Sequence, residues 1–178
     1  EANNELVKKA KDEGGIALGY TCYHIPEVLL NCGNCFSVRL RAPRTGSMDI
    51  ATYYMSNFLC GYSKAILERA IEGGYNFLNA LLASETCSEM NRTAEHFELL
   101  NLVDEEKFFL TFLDMPFKIE EHTVKHYVNQ TRLKILDKMT ADYGVDTSDE
   151  ALLKAVEEHN EVCRLMTEIG NYRKEENP

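Results

Sequence analysis

Apolar residues come in short runs separated by glycine, proline and charge. Ile16-Ala17-Leu18-Gly19-Tyr20 is a short apolar run that follows Gly14-Gly15 and predicts a buried strand. Phe36 to Leu40, Phe77 to Ala83 and Lys107 to Leu113 repeat the pattern and predict three more strands. Between them the period lengthens. Pro26 opens a segment with Glu27 in its first turn, Val28, Leu29 and Leu30 as apolar residues and Gly33 at its end, which predicts a short helix. Ile66, Leu67, Ala70 and Ile71 set a helix over 63–72, stopped by Gly73-Gly74. Met90, Ala94, Phe97 and Leu100 set another over 88–102. Residues 49–58 are rich in aromatics and show no clear period.

After Pro116 the strand pattern ends. A long polar–apolar helix is expected to run to Tyr143, capped by Gly144, and a last helix from Thr147 to Tyr172. Leu152, Leu153, Val156, Val162, Leu165, Met166 and Ile169 repeat there at three and four. Four strand–helix alternations imply a parallel sheet with flanking helices, an α/β fold of Rossmann or flavodoxin type with a helical C-terminal portion. The expected organisation is a polar lead-in over 1–13, a parallel α/β domain over 14–118 and a helical extension over 119–174 leading to a further domain.

Composition narrows the classes. The chain has 178 residues and a net charge of −10. No basic surface excess exists for nonspecific nucleic-acid or anionic-membrane binding. Arg39, Arg41 and Arg44 form the one compact basic cluster, read either as a solvated loop or as an anchor for a phosphate-bearing ligand. No apolar run reaches the roughly 18 residues that span a bilayer, and no signal peptide is visible, so a cytoplasmic location is expected. The start at Glu1 without methionine and the polar end at Pro178 lead us to expect a piece of something longer.

Six cysteines in such a chain point to thiols or metal ligands before disulfides. Cys32-Gly33-Asn34-Cys35 is a C-x-x-C, but Cys32 closes a helix and Cys35 enters a strand, so both fit as small buried apolar residues. Cys163 falls on the apolar stripe of the last helix and is expected in the core. Cys22, Cys60 and Cys87 each precede a helix on the expected carboxyl edge, where ligands bind and where a helix start favours thiolate. His24 lies near Cys22, whereas His96, His122, His126 and His159 fall on helices and are expected to be solvated or satisfied.

The run Gly19-Tyr20-Thr21-Cys22-Tyr23-His24-Ile25-Pro26-Glu27 with Val38-Arg39-Leu40 resembles the opening of 2-hydroxyacyl-CoA dehydratase subunits and of the related benzoyl-CoA reductase subunits. Cys60-Gly61-Tyr62-Ser63-Lys64, Ser84-Glu85-Thr86-Cys87, Leu113-Asp114-Met115-Pro116 and Glu150-Ala151-Leu152 with Asn160 continue the likeness. The family pattern carries Asp after the second cysteine, where this chain has Ser88, and Pro near position 37, where it has Ser37.

The resemblance implies a [4Fe-4S] cluster held by three cysteines, with Cys60 and Cys87 as two of them and the third beyond this chain. The chain alone would then hold little or no cluster. Cys22 becomes a pocket residue near the ligands. The resemblance also implies an acyl-CoA substrate near Glu27 and Ser63, a homologous second subunit in a heterodimer, and a separate ATP-hydrolysing activator that delivers one electron under anaerobic conditions. The implied reaction removes water from a 2-hydroxyacyl-CoA through a ketyl radical. Reduction of an aromatic acyl-CoA, or a non-catalytic assembly role, are the alternatives.

Overall fold

A computed structural model describes residues 4–43 and 45–174. Arg44 of the basic cluster lies outside the described residues. The chain runs through α1 (Glu5–Asp12), β1 (Ile16–Tyr20), a 3-10 turn (Glu27–Asn31), β2 (Cys35–Arg39), α2 (Ala51–Tyr54), α3 (Gly61–Ile71), β3 (Ala80–Ser84), α4 (Ser88–Leu99) and β4 (Phe109–Leu113). Then come α5 (Glu121–Thr131), a π-helical segment (Arg132–Leu136), α6 (Asp137–Tyr143) and α7 (Asp149–Tyr172).

The four strands form one parallel sheet in the order β2-β1-β3-β4. The chain moves from β1 outward to β2, then crosses back over β1 to β3. The strand order therefore reverses between β1 and β3, and the crevice above their carboxyl ends is the place where doubly wound sheets bind ligands.

Side-chain alternation assigns the two faces. Ile16, Leu18, Cys35, Ala80, Leu82, Phe109 and Leu113 face a layer made by the 3-10 turn, the π segment and α6. Ala17, Leu81 and Ala83 face the opposite layer with Ile66 and Ala70 of α3 and Ala94 and Phe97 of α4. Burial on both faces is why the strands read as continuous apolar runs rather than alternating ones.

Several expected elements shift. The helix after Pro26 is a single 3-10 turn of which Leu30 alone is buried. β3 starts at Ala80 rather than Phe77, because the Leu78 N–H bonds the Tyr75 carbonyl in a turn and the first ladder bond is Asn79 N–H to Ala17 carbonyl at 2.8 Å. α4 ends at Leu99, since Asn101 takes the left-handed conformation at φ 50°. The uncharacterised stretch 49–58 contains α2, whose start is capped by the buried Glu68 carboxylate.

The long helix to Tyr143 is interrupted by the π segment, and Gly144 ends it in the left-handed conformation at φ 67°. α7 departs most from expectation. Of its residues only Ala155 is buried, and Cys163, expected in the core, is exposed with Val162, Leu165, Met166 and Ile169. The helix rests on the 3-10 turn, and every residue from Asn160 to Ile169 is exposed.

The candidate site at the carboxyl edge

Cys60 and Cys87 occupy the same structural position. Cys60 is the N-cap residue of α3 and Cys87 the N-cap residue of α4. Both are exposed. Neither helix start receives a side-chain cap, so the first N–H groups of both are left for another acceptor. Those N–H groups and the helix dipole suit an acceptor or an anionic guest at each start.

The two helix starts are tied together. Glu89, in the first turn of α4, accepts the backbone N–H of Cys60 on Oε2 at 3.2 Å. Deeper in, Thr93 donates to the carbonyl of Ser63 at 3.2 Å. The starts of α3 and α4, each at a cysteine, are therefore joined at the sheet edge.

Cys22 approaches from β1. Its Sγ lies 3.9 Å from Thr86 Oγ1, and Thr86 directly precedes Cys87. Burial acts to raise the Cys22 pKa, but hydrogen bonds from the His24 backbone, Ser84, Thr86 and the Tyr23 backbone outweigh it and lower the pKa from the ordinary thiol value. Beside it, Thr21 is 4% exposed and its hydroxyl has no hydrogen-bond partner among the described residues. Alternation from Ala17 and Gly19 puts Thr21 on the α3–α4 side. An unpaired buried hydroxyl at a strand's carboxyl end, beside two uncapped helix starts, suits an edge built for a polar or anionic guest.

The two residues expected beside substrate separate. Ser63, in the first turn of α3, is 1% exposed. Glu27 stands on the opposite face of the sheet, in the 3-10 turn. Its Oε1 accepts from Ser37 Oγ at 2.6 Å and Asn31 Nδ2 at 2.9 Å, and its Oε2 lies 3.2 Å from His159 Nδ1. A cleft of about 290 Å³ opens there between Tyr20, Tyr23, Arg39, Glu27 and His159.

Cys32 and Cys35 are buried, as expected of small apolar residues. Burial pushes the Cys35 thiol up to about 12, with Cys32 adding to it, and burial with Asp146 raises Cys32. His96 is buried, with Nδ1 2.6 Å from the Arg92 carbonyl. His122 and His126 pair with Glu120 and Asp114 near the surface.

The site that emerges is a pair of uncapped helix starts, each at a cysteine, on the carboxyl edge of the sheet. A model of the family described as 2-hydroxyglutaryl-CoA dehydratase, D-component, matches residues 22–178. The chain belongs to this family. The (R)-phenyllactyl-CoA dehydratase beta subunit of Clostridium sporogenes is 23% identical over 165 residues, which is 93% of this chain and 43% of that relative. The chain thus spans less than half of the relative's length.

The two cysteines in this dehydratase-family chain suit an iron–sulfur group in part. They supply two exposed sulfurs at uncapped helix starts, but no group of three His, Cys, Asp or Glu residues that could hold a metal ion exists among the described residues. No described helix is long and apolar enough to cross a membrane.

Glu89 and His159 are the site residues that sequence reasoning missed. The carboxylate two positions after Cys87 was a usable signal for Glu89. His159 gave none, because its partner Glu27 lies at the other end of the chain.

Proposed function

We propose that this chain is part of an iron–sulfur subunit of a 2-hydroxyacyl-CoA dehydratase, with Cys60 and Cys87 as two cluster ligands and a third thiolate from outside the described residues. The observation that carries the reading is the pairing of two uncapped, cysteine-started helices at the sheet edge, held together by Glu89 on the Cys60 N–H. Membership of the dehydratase family supports it, and the relative's action on an acyl-CoA suggests the substrate class.

When bound, the cluster would supply a single electron to the thioester carbonyl of the substrate, so that a hydroxyl on the adjacent carbon can leave. An ATP-dependent activator would be the electron source and a homologous subunit the partner.

The chain's own residues have separate tasks. The free N–H groups of α3 and α4 offset negative charge on the two sulfurs. Cys22, Thr21 and Thr86 line the crevice beside them. Ser63 supports the first turn of α3 from beneath. Glu27, with Arg39 near it, provides a charged margin on the β2 side of the edge, where Arg39 suits a phosphate of the CoA moiety.

The test is iron content and electron paramagnetic resonance on protein prepared anaerobically with its partner subunit. Cys60→Ser and Cys87→Ser should each lower bound iron sharply and alter the cluster signal. Unchanged iron in both variants overturns the assignment.

A further inference from the structure

A second set of chemically active side chains is joined end to end on the other face of the sheet. Cys163 Sγ lies 3.5 Å from His159 Nε2. His159 Nδ1 lies 3.2 Å from Glu27 Oε2. Glu27 Oε1 is fixed by Ser37 Oγ at 2.6 Å, and Asn31 Oδ1 accepts the Ser37 N–H at 2.9 Å. Thiol, imidazole and carboxylate therefore follow in the order required of a nucleophile, its base and the acid that orients the base. With Nδ1–H directed at Glu27, Nε2 is left to accept the thiol proton.

Packing does not explain the arrangement. Cys163 is exposed and adds nothing to the core. An ion pair between Glu27 and His159 would fasten α7 to the 3-10 turn without any thiol beyond it. Nor is the network tied to the helices that start at Cys60 and Cys87. It depends on Ser37, and a proline at that position would have neither the hydroxyl for Glu27 nor the N–H for Asn31.

Space for a substrate adjoins the His159–Glu27 end of the relay, with Cys163 exposed outside it. The cleft of about 290 Å³ beside His159 is lined by Tyr20, Tyr23, Ile25 and Arg39. Its aromatic and aliphatic walls suit an acyl chain, and the guanidinium suits a phosphate.

We propose that Cys163 is the nucleophile of a Cys163–His159–Glu27 relay that accepts an acyl group from a CoA thioester. Cys163 Sγ attacks the carbonyl carbon while its proton passes to His159 Nε2. The bond from that carbon to the CoA sulfur then breaks. The sulfur leaves with the bonding pair and takes the proton back from His159. One thioester replaces another, with no change of oxidation state. Glu27 stabilises the imidazolium between the two transfers. The choice of a thioester rests on the acyl-CoA reading above, whereas the relay rests on its own geometry.

Limiting iodoacetamide followed by peptide mapping tests the relay. Cys163 in the purified protein should be alkylated at least about tenfold faster than in His159→Gln or Glu27→Gln, with unchanged helix content by circular dichroism. Ser37→Ala, further from the thiol, should slow it by a smaller factor. Equal rates in all variants overturn the relay. The acyl step is read on the unmutated protein by intact mass after exposure to acetyl-CoA and to phenylacetyl-CoA. A single hydroxylamine-labile adduct mapping to Cys163, absent from Cys163→Ser, is expected. No adduct at millimolar thioester overturns acyl transfer even if alkylation is fast. Iron bound through Cys60 and Cys87 is measured separately, so either reading can fail alone.

Discussion

Glu89 Oε2 receives the backbone N–H of Cys60 at 3.2 Å, so the first turn of α4 sets where α3 begins. The bond joins the start of α3 to the first turn of α4. Glu89→Ala should loosen the Cys60 turn and cost only about 1 kcal/mol of stability. Capture of Cys60 and Cys87 together on one trivalent arsenical, scored by mass spectrometry, should fall several-fold. Glu89→Gln keeps an acceptor oxygen and should retain most of the capture. Equal capture in all three proteins would show that the bond does not order the pair.

Asn79 joins α1, β1 and the loop before β4. Its Oδ1 accepts from Ala17 N–H at 2.9 Å and Lys11 Nζ at 2.8 Å, and its Nδ2 donates to Glu105 at 3.2 Å. Ala17 is fully buried, so Asn79→Ala leaves its N–H without an acceptor in the sheet. A loss of about 2–3 kcal/mol is expected in urea denaturation. Asn79→Asp keeps the acceptor for Ala17 and should lose less, unless repulsion from Glu105 dominates, which a Glu105→Gln background would relieve.

Glu68 is 3% exposed, and its carboxylate accepts the N–H groups of Ala51 at 2.6 Å and Ile50 at 3.4 Å. Glu68→Ala orphans those donors and should unwind α2, at about 2–3 kcal/mol. Loss of α2 exposes Met55 and Leu67. Limited proteolysis should therefore cut first between 48 and 58 in the variant and not in the parent.

Alkaline pH should destabilise the fold through groups kept protonated inside it. Burial raises Cys35 from 9.0 to about 12 and Tyr143 from 10.0 to about 12. The unfolded chain releases these protons first, so the contribution is fully present below pH 9 and is lost as pH rises toward 12. Denaturant midpoints measured from pH 8 upward should fall through that window. Cys35→Ala should flatten the part that begins near pH 9, and an unaltered slope would remove Cys35 as its source. The same burial predicts that iodoacetamide at pH 8 labels Cys22, whose thiol pKa is lowered, well before Cys32 or Cys35.

Much of the fold was legible because both sheet faces are covered. Ile16 to Tyr20 reads as apolar throughout, Gly14-Gly15 marks its start and polar Thr21 follows it, so its limits agree with the structure. Limits failed where tertiary contacts decide them. Phe77 looks like strand but packs beside a turn, and the ladder waits for Asn79. Pro26 looks like a helix start, but a single 3-10 turn is all that fits before Cys35 must pair with Ile16. For α7 the helix itself was legible from Leu152 to Ile169. Its partner was not, because a three–four repeat says that a face is apolar and not what covers it.

At the site, Cys60 and Cys87 were readable as helix starts from composition. The Glu27 carboxylate was readable only as an isolated first-turn acid. Its engagement with His159 depends on α7 doubling back onto the 3-10 turn, a non-local event that leaves no local signature.

The uncovered half of α7 divides the molecule's cooperativity. From Asn160 to Ile169 every residue is exposed, so this stretch is held by its own helical hydrogen bonds and by surface pairs such as Arg164 with Glu161 and Glu168. Such a stretch opens without dragging the sheet with it. Its amides should exchange with solvent orders of magnitude faster than those of β1 and β3. Part of the helical ellipticity should also fade on warming before the tertiary tyrosine signal moves. Whatever binds Val162, Met166 and Ile169 would then act twice: it would bury the stripe, and it would bring this helix into the same folding transition as the sheet.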